Sequence, residues 1–527
     1  MRNFDRRFGA YRKGSVCPKN GVTECWKNAD TIWKFREWER RLSSEVTVAG
    51  SAAPRLRRTL TLWDLILYGV IVIQPVAPMS VFGVLSDRGK GHVVTAILIA
   101  MVAMLFTGIS YGKMARAYPS AGSAFTYVAQ EIHSSAGYIT GWSMVMDYML
   151  NPLICTVWCA GAAHQFAPGV PAWMWKIFFA VVFTLLNIRG IKTSARINAG
   201  MAVAMGIVVV GIFVAAARYL LGHPAHDSLF YLRPFYDSRT FSWDALLGCT
   251  SIAVLTYIGF DGISTLSEEA ENPRRNILLA TVLTCLVIGI LSAAEVYVAQ
   301  LIWPSSEAFP DVNTAYSYVA GRAWLPLFTV VNLTLLLANF GSGLGAQIGA
   351  ARLLYGMGRS NALPKSFFGA VDEKHRIPRN NVFVVGGFAL AGAFLLEFVA
   401  GYKTYSLGSS GLNFDTFMKI LNGGEAYGLG AEMLNFGALI AFMGVNAAAF
   451  MRYFVRVEHE SAGQLVKNIF WNLIPPMLGF LICLGLWWNL SKPAKIVGSI
   501  WMVAGIAFGV WKTRGFREQL SFEVPPE

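Results

Sequence analysis

Gly69-Val70-Ile71-Val72-Ile73-Gln74-Pro75-Val76-Ala77-Pro78 lies inside a run, Leu65–Ser86, that holds no Asp, Glu, Lys or Arg. A bilayer core takes roughly 20 mostly apolar residues per helix, so the run reads as a membrane span. Two prolines at its middle each remove an amide donor and crowd the preceding turn. In hydrocarbon the freed backbone groups are tolerated only where they face a cavity or other protein. A span broken at its centre therefore points to transport, because secondary transporters hold substrate near the midplane where two helices are interrupted. The bland alternative is a kink packed on its neighbours, since Gly and Pro are common in membrane helices.

Outward from this run, the chain repeats the pattern. Val93–Gly112, Ile197–Ala217, Ala323–Ala351, Met433–Met451 and Asn468–Ser491 are likewise uncharged. Ile132–Ala163, Ala245–Ser267, Asn276–Trp303 and Asn380–Val399 each carry one acid: Asp147, Asp261, Glu295 and Glu397. Ile177–Ile188 and Ile496–Trp511 reach span length with their Trp-rich flanks. Twelve transmembrane helices are expected, in an all-α membrane protein. Of 527 residues 55% are hydrophobic and 14% charged, against roughly 25% charged in a soluble domain. That argues against a soluble enzyme, and HExxH, a serine elbow and a phosphate-binding glycine loop are all missing from the sequence. Seven cysteines are too scattered for a disulfide framework and match no zinc spacing, so neither a metal nor a cofactor is called for.

The net charge of +13 comes from 44 Lys and Arg against 31 Asp and Glu. Most of the basic residues fall in the N-terminal tail and in the even-numbered connections. The positive-inside rule then puts both termini in the cytoplasm, and the charge needs no nucleic acid to explain it. Four parts are expected: a cytoplasmic basic tail, 1–60; a transport core, 61–453, with halves at about 61–221 and 243–453; two added helices, 454–512; and a cytoplasmic C-terminus, 513–527. The tail, with Cys17 and Cys25, reads as a lipid-surface segment or a solvated arm. The outer connection Gly401–Ala431 is long enough to be functional or mobile.

A second break is expected in span 6, where Thr256-Tyr257-Ile258-Gly259-Phe260-Asp261-Gly262 sets an acid between two glycines. Spans 1 and 6 are the first helices of two possible five-helix halves, the spacing of an inverted repeat. Asp147 and Asp261 lie mid-span, where an unpaired charge costs at least about 2.5–3.5 kcal/mol and usually marks an ion or substrate path. The middle third of every span lacks Lys and Arg. A carboxyl so placed either carries a proton, awaits a mobile cation such as sodium or a substrate ammonium, or is capped by backbone and hydroxyl donors. Tyr148 and Tyr257 stand beside the acid and the break, and aromatic faces attract ammonium groups. Glu295 and Glu397, nearer their helix ends, read as interfacial.

At these residues the sequence resembles the amino acid–polyamine–organocation permeases, and among them the bacterial putrescine importers. The resemblance runs from about Leu56 to Arg514. It rests on Tyr111-Gly112-Lys113, Tyr118-Pro119-Ser120-Ala121-Gly122-Ser123-Ala124-Phe125-Thr126-Tyr127, Gly141-Trp142-Ser143 and Asp147-Tyr148. It continues through Gly259-Phe260-Asp261, Thr265-Leu266-Ser267-Glu268-Glu269, Asn272-Pro273, and Arg352-Leu353-Leu354-Tyr355-Gly356-Met357-Gly358-Arg359 to Leu363-Pro364. It implies a five-plus-five inverted-repeat fold with two C-terminal helices, and substrate held between spans 1, 3, 6 and 8. Matched position by position, substrate contacts fall on Ile71, Ile73, Gln74 and Pro75, on Asp147, Tyr148 and Asn151, on Tyr257, Ile258, Gly259 and Asp261, and on Ala346.

The departures from the family pattern narrow the substrate. Amino acid permeases of this group carry a Gly-Ser/Thr-Gly run at the span 1 break, whose bare amides meet a carboxylate as a helix N-terminus meets any anion. Here Ile73-Gln74-Pro75 stands in that place, which with Asp147-Tyr148 favours an amine without a carboxylate. The usual aromatic gates are replaced by Leu255 and Ala346, leaving Tyr257 and Phe260 as gate candidates. A lysine that some relatives place on span 5 is missing, so that device is absent; the lack of an internal cation beside Asp147 and Asp261 leads instead to the expectation that a proton moves on one of them. The resulting expectation is a putrescine or related amine importer, a monomer or homodimer, in a bacterial inner membrane. An amino acid permease or exchanger, and a receptor or channel, stay open as alternatives.

Overall fold

The computed structural model describes residues 60–515 apart from 120–122, 189–194, 225–226, 228, 268–269, 305–306, 373–376, 406–413, 424–425 and 458–461. The basic tail, the Ser120-Ala121-Gly122 and Glu268-Glu269 pieces of the motifs, part of the outer connection and the last twelve residues lie outside the described residues. The described residues all fall in one compact unit, Arg58–Glu527.

Among the described residues the chain is helical, apart from one isolated parallel bridge between Leu60 and Ala270. In order, the helices are α1 Leu62–Ile73, α2 Ala77–Gly89, α3 Val93–Ala117, α4 Ser123–Glu131, α5 Ser134–Phe166, α6 Ala172–Ile188, α7 Ala195–Gly222 and α8 Trp243–Ala253. Then come α9 Pro273–Ile302, α10 Ala315–Ala323, α11 Pro326–Arg359, α12 Arg379–Tyr405, α13 Phe414–Asn422, α14 Ala426–Phe450, α15 Ala462–Asn468, α16 Ile474–Trp488 and α17 Lys492–Lys512. Among the described residues nine helices are long and apolar enough to cross a membrane, and α1 with α2 forms a tenth, bent by 43°. The α5 helix is not one of these, although it spans 33 residues. Most of its side chains are buried by other helices, and a helix ringed by protein needs no continuous lipid-facing surface.

Local sequence explains where the elements start. Thr61 and Asp64 close a capping box at α1, the Asp64 carboxylate accepting from the Thr61 amide at 2.9 Å, which satisfies orphan donors reciprocally. Asn272, at φ 46°, turns the chain into α9 ahead of Pro273, a residue whose missing amide costs nothing at a helix start.

The α5 helix runs against α14, α11, α6 and α12. Gly437 of α14 lets the pair approach closely: a Cβ there would stand 2.5 Å from the Ser143 carbonyl and 3.2 Å from the Asp147 amide. Trp142 and Trp501 stack at 5.0 Å, and their indole N–H groups donate to each other's carbonyls at 2.9 and 3.2 Å, docking α17 onto α5.

Two expectations gain detail. The outer connection Gly401–Ala431 is largely helical where described: the end of α12, all of α13 and the start of α14 fall within it. Glu295 and Glu397, near their helix ends in sequence, are both 0% exposed, enclosed by neighbouring helices.

Candidate functional site

Both expected breaks are present, and they touch. The first helix stops at Ile73; Gln74 takes φ 72° and the chain resumes as α2 at Ala77. In the sixth expected span α8 ends at Ala253, tightens into a 3-10 turn over Val254–Tyr257, and opens at Ile258 into extended backbone. Gly259 follows at φ 121°, then a single helical turn, Gly262–Thr265. A Cβ at Gly259 would lie 2.9 Å from Val72 and 3.4 Å from Ile73, so a larger residue is excluded both by conformation and by the opposing break.

Polar partners stitch the broken backbone to its neighbours. Gln74 Nε2 donates to the Ala338 carbonyl of α11 at 2.6 Å, and Asn339 Nδ2 donates to Ser80 Oγ of α2 at 3.0 Å. Asn435 of α14 donates to the Ser251 and Ile252 carbonyls at 2.7 and 3.2 Å, where the change of helical pitch leaves those acceptors short of partners. At the start of α2, Pro75 and Pro78 have no amide, while the Ala77 and Met79 amides are already bonded to the Gln74 and Val76 carbonyls at 3.1 Å. Little is left there to bind an anion.

The two acids converge on these breaks. Asp147 is 4% and Asp261 3% exposed. The Tyr148 hydroxyl donates to Asp261 Oδ2 at 2.9 Å, and its ring lies over Gly349 of α11, 3.3 Å from where a Cβ would stand. The amides of Gly259, Asp261 and Gly262 also turn toward the Asp261 carboxyl. Asp147 lies close enough to Asp261 for the carboxylates to repel, yet it accepts no hydrogen bond and pairs with no Lys or Arg among the described residues. One carboxylate is thus held by the protein, while the other has neither a donor nor a cation among the described residues.

The remaining expected residues divide. Ile71, Asn151, Ile258, Gly259 and Ala346 are half-buried, and Asn151 Oδ1 accepts from Cys155 Sγ at 3.4 Å. Ile73 and Pro75 are buried at the break. Tyr257 is 0% exposed and its hydroxyl donates to the Ile97 carbonyl of α3 at 2.9 Å. Phe260, also 0% exposed, packs on Tyr111 and Phe442 with ring centres 5.5 and 5.2 Å apart. Both gate candidates therefore sit in the packed core, Tyr257 bonded to α3 and Phe260 packed between α3 and α14.

Several polar groups escaped sequence reading. Lys176 Nζ lies 3.3 Å from Glu397 and donates to the Leu421 and Gly423 carbonyls at 3.0 and 2.9 Å, with both charged side chains almost wholly buried. Lys176 marks the edge of an uncharged run, which hid its pairing across two helices. In a second cluster, Glu131 of α4 accepts from Arg452 at 2.6 Å, from Arg456 at 2.8 Å and from Tyr118 at 2.6 Å. Burial and the Glu131 contact push the Tyr118 phenol up to about 12. Only the Tyr118 motif hinted at this cluster.

Comparison with known proteins agrees with the geometry. The model of the amino acid permease family matches residues 76–422. The low-affinity putrescine importer PlaP of Escherichia coli strain K12 is 33% identical over 88% of this chain and 95% of its own length. The branched-chain amino acid permease BcaP of Bacillus subtilis is 23% identical over 89% of this chain and 96% of its own. The methylthioribose transporter of Bacillus subtilis is 23% identical over 88% and 95%.

Proposed function

As this chain belongs to the amino acid permease family, and so is a multi-pass membrane transporter rather than an enzyme, we propose that it imports a small organic cation, putrescine or a related amine, by alternating access. The observation that carries this reading is Asp147: buried mid-span, without a donor or fixed cation among the described residues, beside an Asp261 already held by Tyr148. An ammonium supplies the missing charge and donors in one group. The spent amides at the start of α2 weigh against a carboxylate on the same substrate, since an anion there would meet proline rings instead of donors. Likeness to a putrescine importer supports the same substrate class.

The architecture of this reading is twelve spans: α1 with α2, then α3, α5, α6, α7, Trp243–Ser264, α9, α11, α12, α14, α15 with α16, and α17. The halves at about 61–221 and 243–453 each open on a broken helix, as an inverted repeat would, followed by the two added helices of 454–512. Ile71, Tyr148, Asn151, Ile258, Gly259 and Ala346 surround the substrate with Asp147 and Asp261, while Ile73, Gln74 and Pro75 shape the break. Closure falls to movement of the breaks themselves, with Tyr257 and Phe260 transmitting it through the core. Both termini face the cytoplasm of a bacterial cell, and a proton carried on Asp147 or Asp261 drives accumulation.

Uptake of radiolabelled putrescine into proteoliposomes tests the reading. Saturable uptake competed by polyamines is expected; competition by amino acids alone would return the protein to the general amino acid permeases. Uptake that survives collapse of the proton gradient would remove the proton from the scheme.

A further inference from the structure

The C-terminal half of α9 holds a carboxyl that the amine site does not use. Glu295 is 0% exposed, and neither of its carboxyl oxygens has a hydrogen-bond partner. Ser292, one turn earlier on the same face, is also 0% exposed with an unpartnered hydroxyl. Helices α3, α1, α7, α2 and α10 pack against α9, and the titratable group from them that couples to Glu295 is Tyr316 of α10. Among the described residues no Lys, Arg or His pairs with Glu295. An ionised carboxylate with no donor and no cation is not tolerated in a hydrocarbon-like core, whereas a neutral carboxyl is.

Contacts connect this group to the moving parts. The Tyr316 hydroxyl donates to the Glu295 backbone carbonyl at 3.0 Å. Its ring meets Phe82 of α2 edge-on at 5.5 Å. Trp158 of α5 ties the same region together, its indole N–H donating to the Ser80 carbonyl of α2 and the Asn313 carbonyl just before α10, at 3.3 and 3.1 Å. These contacts link α2 and α5 to Tyr316 and, through its hydroxyl, to the backbone at Glu295.

We propose that Glu295 is a proton-binding site of the transport cycle, separate from the amine site: it holds a proton while Tyr316 and Phe82 close over it and releases it when α2 and α10 move away. Its chemistry is a single O–H bond made and broken with water, with the proton supplied by the gradient. The inference rests on the transporter reading, and the test separates the two. Wild type and Glu295→Gln are reconstituted, and radiolabelled putrescine is followed both in counterflow without a gradient and in accumulation against an imposed pH gradient. Counterflow is expected to survive in Glu295→Gln while accumulation falls about tenfold or more and its pH profile shifts, the proton on Asp147 or Asp261 being left in place. Accumulation equal to wild type overturns the proposal. Should Glu295→Gln lose counterflow as well, Glu295→Asp decides: a shifted pH profile supports the proton site, and an unshifted one overturns it. A substrate-free readout stands apart from the amine reading. Infrared difference spectra of wild type between acid and alkaline buffer are expected to contain a carboxyl band that Glu295→Gln lacks, and identical spectra overturn the proposal even if the substrate is something else.

Discussion

Replacing Lys176 by Met removes the cation of a buried pair while keeping the length of the side chain. All three ammonium hydrogens are committed: to Glu397 at 3.3 Å, to the Leu421 carbonyl at 3.0 Å and to the Gly423 carbonyl at 2.9 Å. With the lysine 1% and Glu397 0% exposed, the variant strands a carboxylate, for which breaking such a pair costs about 3–5 kcal/mol. The two carbonyls add about 1–3 kcal/mol for each that finds no other donor. By contrast Arg322 and Glu307, paired at 2.6 Å but 35% and 46% exposed, should lose no more than about 1 kcal/mol in Glu307→Gln. Thermal unfolding of the purified protein, followed by tryptophan fluorescence, reads the difference. Lys176→Met is expected to lower Tm by several degrees more than Glu307→Gln, and Lys176→Met with Glu397→Gln to recover part of the loss, because the stranded charge is gone. Equal Tm values for Lys176→Met and wild type, or a double variant worse than the single one, would refute the buried-pair argument.

The packing around the site carries two more predictions. Gly437→Ala should destabilise by about 1–3 kcal/mol, the usual cost of overpacking, and should slow uptake as well, since the added methyl presses on the backbone that carries Asp147; Tm and initial uptake rates check both. Asn435→Leu leaves the Ser251 and Ile252 carbonyls without their side-chain donor, at about 1–3 kcal/mol for a buried group left unsatisfied, and should cut transport in protein that still purifies as a single species.

Helix content and the two breaks were legible because proline and glycine act locally: Pro75 and Gly259 stand at the interruptions themselves. Asp147 and Asp261 were legible for a similar reason, a charge in an apolar run being visible without coordinates. The partners of these groups were not. Gln74 bonds to Ala338 and Lys176 to Glu397 across more than two hundred residues of sequence, and no local pattern encodes such pairings. Tyr257 and Phe260 looked like gates because they flank the break, yet contacts with α3 and α14, distant in sequence, bury both. The burial of Glu295 was equally hidden, because it depends on the helices packed around α9 rather than on its own sequence.

The central claim, that Asp147 holds the ammonium, is tested most directly by titrating purified wild type and Asp147→Asn with putrescine in a calorimeter. A hydrogen bond to a charged group contributes about 1.5–3 kcal/mol, so Asp147→Asn should weaken binding by about tenfold to a hundredfold with Tm preserved. Unchanged putrescine affinity in Asp147→Asn would place the amine elsewhere and contradict the account.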